Sequence, residues 1–258
     1  NREDIVEEFK KFKKENSWWL DNYSLYMALK FKFDGKSWQD WLKDYKYRNL
    51  KKMLIDEEIK KNMDYFSFVQ YTFYKQWFKL KEYANSNGIK IIGDIPIFVA
   101  TDSADTWSNS EIFQFDKYKR PKRVAGCPPD YFSKDGQLWG NVLYDWKKLK
   151  ESGYQWWVKR IEYSFKIYDI VRIDHFRGFE AYWSIAAKDK TAVKGHWEKG
   201  PGIEFFRVLE RRIGKKPIIA EDLGLLTDGV RKLLKRSEFP GMKILEFAFD
   251  SDDSDYLP

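Results

Sequence analysis

From residue 88 onward the chain alternates short apolar runs with amphipathic stretches, and this alternation limits the fold more than any other feature. The apolar runs are "IKIIGDIPIFVA" (89–100), "DIVRID" (169–174), "PIIAED" (217–222) and "MKILEFAF" (242–249). Between them the pattern predicts helices through "YQWWVKRIEYSFKIY", after Pro201 through "IEFFRVLERRI", and after Thr227. Strands that are apolar almost throughout are buried on both faces, which points to a parallel sheet with helices packed outside it. Upstream of residue 88 strand signals are absent. There Phe66, Val69, Phe73, Trp77, Leu80 and Ala84 recur at helical steps, and Gly88 stands where a helix end favours a left-handed residue. The chain thus divides into a mostly helical region, 1–87, packed on the sheet region, 88–258. The segment 101–147 is rich in Gly, Pro, Asp and aromatics and too long for a plain connection, so it reads as a functional loop.

Composition excludes several classes of protein. With 258 residues, 43% hydrophobic, the chain can bury a full core and is not disordered. No run of 18 apolar residues occurs, and the start "NREDIVEEFKKFKKENSWW" lacks the zones of a signal peptide. That start reads as a helix from the interior of a protein. The lone Cys127 cannot close an internal disulfide, and neither C-x-x-C nor H-E-x-x-H is present, so structural zinc and a disulfide framework drop out and a cytoplasmic setting is the default. The net charge of +7 is spread through mixed stretches such as "IDEEIKKNMD", which suits a solvated surface better than a nucleic-acid face. Neither nucleic acid nor membrane is an expected partner.

The polar residues of each run gather toward its C-terminal end. Asp94 interrupts the first, Asp174 ends the second, Glu221 and Asp222 end the third, and Asp250 follows the fourth. In a (β/α)8 barrel those ends form the catalytic mouth. A doubly wound sheet would also collect them along one edge, but the G-x-G-x-x-G fingerprint is absent. Within "VRIDHFRGF" the charged residues Arg172, Asp174, His175 and Arg177 are costly at the end of a core element unless they pair or serve chemistry. A lone strand-end Asp is more often a cap, and Arg172 with Asp174 can be a structural ion pair. Asp174 and Glu221 together, with Arg172 and His175 beside the first, also form what a retaining glycosidase uses: an ionised nucleophile and a protonated acid about 5–5.5 Å apart.

Five motifs, "GDIPIFVA", "AGCPPDYFSKDGQLWGN", "VRIDHFRGF", "IIAEDLG" and "PGMKILEFAF", in this order and spacing, resemble those of the amylomaltases, the 4-α-glucanotransferases of glycoside hydrolase family 77. The likeness runs from "SWWLDNYSLYMALK" to the end of the chain. It implies a (β/α)8 barrel with helical insertions that cleaves α-1,4-glucan and passes the fragment to another sugar's 4-hydroxyl through a covalent intermediate. It implies no metal, no organic cofactor and no obligatory protein partner, with maltooligosaccharide or starch as substrate. By motif, Asp174 is implied as nucleophile and Glu221 as general acid/base. Arg172 would orient Asp174, His175 would contact the sugar, and Asp94 with Phe98 would line the mouth. The segment "PPDYFSKDGQLWGN" resembles a mobile loop over the acceptor side, so Asp130, Tyr131, Gln137, Trp139 and Asn141 would touch glucan.

The chain departs from the resemblance in Cys127, where the family usually has Val, and in Val142, where Pro is common. The family's first two strands are expected before Asn1, and its third catalytic carboxylate after Pro258. The expectation is therefore an incomplete barrel with about four of eight strands, inactive by itself. Two further readings stand beside the transferase: an α-glucan hydrolase and a non-catalytic glucan-binding piece.

Overall fold

Five residues of strand β1 (Ile92–Pro96), five of β4 (Ile170–Asp174) and three of β7 (Ile218–Ala220) form a parallel sheet in the order β1-β4-β7. The computed structural model describes residues 2–131, 133–224 and 226–249. Before β1 come the helices α1 (Arg2–Lys32), α2 (Lys43–Lys46) and α3 (Glu57–Ser86). Between β1 and β4 lie α4 (Ala104–Ser108), β2 (Arg123–Cys127), β3 (Gln137–Val142), α5 (Trp146–Glu151) and α6 (Gln155–Ile167). Strands β5 (Ala181–Ala186) and β6 (His196–Lys199) and helix α7 (Gly202–Ile213) precede β7, and α8 (Asp228–Ser237) follows it.

The crossover helices behave as the alternation requires. Val171 and Ile173 of β4 are fully buried in one cluster with Trp157 and Ile161 of α6, Phe205 and Leu209 of α7, and Ala220 of β7. Arg172 and Asp174, one pleat out of phase, face away from that core and stay partly exposed. Several helix starts are capped by their own sequence: Asp56 accepts from the Ile59 amide, Ser103 from Thr106, Asp145 from Lys148 and Thr227 from Val230.

The segment 101–147 is folded rather than loop. Its strands β2 and β3 join β5 and β6 in a four-stranded antiparallel sheet, order β3-β2-β5-β6, which the sequence reading did not anticipate. Gly126 lets β3 approach closely, because a Cβ there would lie 2.1 Å from the Gln137 carbonyl oxygen.

Two further expectations are corrected. "MKILEFAF" is not a fourth strand: residues 241–244 have no regular structure and Leu245–Phe249 form a 3-10 turn. A first ladder bond exists, from the Ala220 amide to the Pro240 carbonyl at 2.9 Å, but the Met242 amide turns to the Asp222 side chain instead of a strand. The described parallel sheet therefore has three strands, not four, and Asp250 lies outside the described residues. On α3, Val69, Phe73 and Leu80 are exposed, whereas Ile59, Ser67, Tyr71 and Tyr74 are buried. The α1–α3 seam selects rings that meet Phe9, Phe12 and Trp19 and can still bond their hydroxyls, as Tyr71 does to Glu8 at 2.6 Å.

Two carboxylates fasten the helices to the sheet. Asp169, just before β4, accepts from the Ile91 amide (2.8 Å) and from Asn85 (2.8 Å), and pairs with Lys81 (3.3 Å) of α3. Asp102, beyond β1, accepts from the Tyr26 hydroxyl (2.8 Å) and the Trp38 amide (3.1 Å), and pairs with Lys30 (2.8 Å). Among the described residues no helix is long and apolar enough to cross a membrane.

Candidate active site

The parallel register sets Asp94 of β1 opposite Arg172 of β4, and Pro96 opposite Asp174. On the face away from the helix-packed core, Arg172 Nη1 therefore donates to Asp94 Oδ2 at 2.7 Å and Nη2 reaches Asp174 Oδ1 at 3.1 Å. A planar guanidinium spans two carboxylates in this way with donors fixed in direction, whereas an ammonium's three donors rotate. Nε points elsewhere, to the Met242 sulfur at 3.2 Å.

Glu221 enters by continuing the β4–β7 ladder one step past β7, with its amide donating to the Ile173 carbonyl at 3.0 Å. The next ladder bond skips a residue. Phe176, not His175, donates to the Glu221 carbonyl (3.0 Å), because His175 takes a left-handed conformation at φ 54° and ψ 48°. That turn frees the His175 amide to donate to Glu221 Oε2 at 2.8 Å, while the Leu223 amide donates to Oε1 at 2.9 Å. Burial pushes the Glu221 carboxyl above its ordinary range and the neighbouring Asp174 adds to the rise, against the two amides and Arg172. Asp174 is thus bridged to a cation, while Glu221 is pushed toward its protonated form.

The His175 imidazole is pushed down to about 4, first by burial and then by Arg177, so it is neutral at physiological pH. Its Nε2 is buried and has no hydrogen-bond partner among the described residues. The Trp139 ring stands edge-on to it, centroids 4.9 Å apart, and 6.5 Å from Phe98. Trp139 Nε1 donates to Gln137 Oε1 at 3.0 Å, and Asn141 donates to the Val99 carbonyl at 2.9 Å.

Of the residues singled out in the sequence, Asp94, Arg172, Asp174, His175 and Glu221 are joined by direct bonds or continuous backbone at the strand ends, and Trp139 with Phe98 adjoins them. Phe98 is itself buried and stacks on Tyr144, so it serves the core as well. Gln137, Trp139 and Asn141 sit on strand β3 rather than on a loop. Asp130 accepts from the Ser133 amide at 2.7 Å in a turn, and Tyr131 is 97% exposed. Sequence reasoning missed Met242 on Arg172 and the role of the Asp222 carboxylate behind it. A methionine inside "PGM" carries no periodic signal that could have revealed it. Among the described residues no group of three or more His, Cys, Asp or Glu could hold a metal ion, and burial pushes the Cys127 thiol up to about 11, leaving it protonated.

A parallel sheet that sets a cation-paired carboxylate and a half-buried carboxylate of raised pKa at neighbouring strand ends fits glycosidase-type double displacement. The comparisons agree with that class. All of residues 1–258 match the profile of the 4-alpha-glucanotransferases, glycoside hydrolase family 77, and the chain belongs to that family. It is 53% identical over 255 residues to the 4-alpha-glucanotransferase of Clostridium butyricum, covering 98% of this chain and 52% of that one. To the Thermus thermophilus 4-alpha-glucanotransferase it is 45% identical over 258 residues, covering 98% of this chain and 51% of the other. The amylomaltase of Streptococcus agalactiae, solved in complex with acarbose, superimposes with a TM-score of 0.92 at 42% identity, over 97% of this chain and 51% of that one. The chain thus spans about half the length of these relatives.

Proposed function

We propose that the chain carries the nucleophile and the acid/base of a 4-α-glucanotransferase acting on maltooligosaccharides or starch. The observation that carries this reading is the pairing at the strand ends: Asp174 bonded to Arg172, beside a Glu221 whose burial favours its proton. Arg172 occupies Asp174 Oδ1, so Oδ2 is the oxygen that attacks the anomeric carbon. As that bond forms, Glu221 gives its proton to the glycosidic oxygen, and the leaving sugar departs with a free 4-hydroxyl. The product is a glycosyl ester on Asp174. An incoming sugar then returns its 4-hydroxyl proton to Glu221 while its oxygen displaces Asp174, so the anomeric configuration is retained.

In this reading Asp94 holds Arg172 from the far side, and the neutral His175 offers its buried Nε2 to a sugar hydroxyl. Phe98, Trp139, Gln137 and Asn141 form the wall beside it, with Asp130 and Tyr131 reaching glucan farther out. The three parallel strands are part of a (β/α)8 barrel in which residues 1–87 are a helical subdomain on a sheet region, 88–258. A cytoplasmic setting accompanies the reading and rests on the single cysteine. An α-glucan hydrolase would use the same two carboxylates with water as acceptor, but membership of the transferase family favours sugar.

The deciding experiment incubates the complete polypeptide with maltotriose and separates the products by chromatography. Longer maltooligosaccharides are expected. Glucose and maltose alone would replace the transferase with a hydrolase, and unchanged maltotriose would reject both.

A further inference from the structure

Two edges of the Arg172 guanidinium serve carboxylates, but the third, Nε–H, ends on the Met242 sulfur at 3.2 Å. A thioether is a weak acceptor. It holds a guanidinium in place only if its own backbone is fixed, and the "PGM" turn is fixed from three directions. The Ala220 amide donates to the Pro240 carbonyl at 2.9 Å. The Met242 amide donates to Asp222 Oδ1 at 2.7 Å. Gly241 rests so closely on the same carboxylate that a Cβ there would stand 2.5 Å from Oδ2. Asp222 is buried, only 8% exposed, and follows Glu221 directly at the end of β7. Among the described residues no cation pairs with it, and an unpaired buried carboxylate is costly to keep. What it does here is anchor the turn that delivers Met242.

We propose that Asp222 and Met242 are positioning residues for the nucleophile, acting through Arg172. The inference rests on the reading of Asp174 as nucleophile. The guanidinium is planar, so fixing Nε–H fixes the directions of both Nη groups. With Nε on sulfur, Nη1 is aimed at Asp94 and Nη2 at Asp174. Without the sulfur, Nε–H seeks another acceptor, and the nearest anionic ones are the two carboxylates already held. The guanidinium then turns a different edge to one of them and gives up the bridge, which leaves Asp174 free to rotate out of line with the anomeric carbon. Alignment is a property of the reacting state more than of substrate binding, so the loss should fall on kcat rather than KM.

The test uses the complete enzyme, with maltotriose as substrate and Asp174→Asn as control. Met242→Leu keeps the volume and removes the acceptor; kcat should fall about tenfold, the equivalent of ~1.4 kcal/mol, with KM changed by less than about twofold. Met242→Gln restores an acceptor on a chain of similar reach and should recover most of kcat. Asp222→Asn keeps an oxygen for the Met242 amide and should stay within about twofold of the parent, whereas Asp222→Ala should reproduce the Met242→Leu loss. Normal kcat in Met242→Leu, or equal losses in the Leu and Gln variants, overturns the proposal. If Asp174→Asn turns over normally, it is the assignment of the nucleophile that fails, and the control reports that separately.

Discussion

Replacing Trp139 by Ala tests whether the strand β3 wall decides what accepts the glycosyl group. The side chain is 37% exposed, so part of it stays open to a ligand while the rest meets protein. Its ring contacts among the described residues include the edge-on pair with His175 at 4.9 Å and the tilted pair with Phe98 at 6.5 Å. An aromatic pair contributes about 0.5–1.5 kcal/mol beyond burial. The His175 pair lies well inside the favourable range and the Phe98 pair near its limit, so the folded enzyme should lose about 1–2 kcal/mol. The same magnitude applies to a sugar ring resting on the open part, which corresponds to about 5- to 30-fold in acceptor affinity. Water needs no such platform. The ratio of transfer to hydrolysis, taken as longer maltooligosaccharides against the glucose and maltose formed in excess of them in maltotriose digests of the complete enzyme, should therefore fall by about 5- to 30-fold. Trp139→Phe, which keeps a ring, should recover part of the ratio. An unchanged ratio in Trp139→Ala refutes the reasoning, and so does a fall in total rate that leaves the ratio intact, because the ring would then serve both acceptors alike.

Asp174→Asn should abolish both turnover and any glycosyl-enzyme detectable by mass spectrometry. Glu221→Gln should slow formation and breakdown of that intermediate. It should also cost ~1–2 kcal/mol of stability in thermal unfolding, because both carboxylate oxygens accept amides and one would become an NH2 facing an N–H. The proposed chemistry needs Glu221 protonated and burial raises its pKa, so kcat/KM should decline on the alkaline side at a pH above the ordinary value of a glutamate. The linked stability has the same sign: it is fully present below the unfolded-state value and is lost as pH rises through the raised one, which unfolding curves across pH will show. Expressed by itself, this chain should associate and show no transfer, because the outer edges of β1 and β7 have no strand partner among the described residues and Val69, Phe73 and Leu80 are exposed on α3; a monomeric, active preparation by light scattering and product assay would contradict this.

Much of the site was legible because strand-end carboxylates leave a mark in a period-two pattern. Val171 and Ile173 bury and Arg172 and Asp174 do not, and that difference is written in residue type. The antiparallel sheet was not legible. Strand β2, "RVAGC", contains a glycine and runs into "PPD", both of which read as loop, yet the glycine is what admits β3. On α3 the periodicity marks a stripe one residue away from the true seam, because Tyr71 and Tyr74 combine ring area with a polar tip and count weakly as apolar. Run "MKILEFAF" has strand composition, but a ladder needs a partner along its length. Here a carboxylate side chain takes the Met242 amide first. The left-handed turn at His175, which aims an amide at Glu221, had only a faint signature in the residue type, since histidine is modestly enriched at positive φ.

The two carboxylate fastenings at Asp102 and Asp169 lie beyond opposite ends of β1 and both reach into the helical hairpin of α1 and α3. A strand clipped beyond one end to α1 and beyond the other to α3, which pack on each other, has no independent way to fray. The protons most exposed to this constraint are the Ile91 amide, held by Asp169, and the Trp38 amide, held by Asp102. In amide exchange they should open in the same cooperative event, with one rate and one denaturant dependence, although 53 residues separate them in the sequence. The helices thereby set the lifetime of the closed state at the edge of the sheet that carries Asp94.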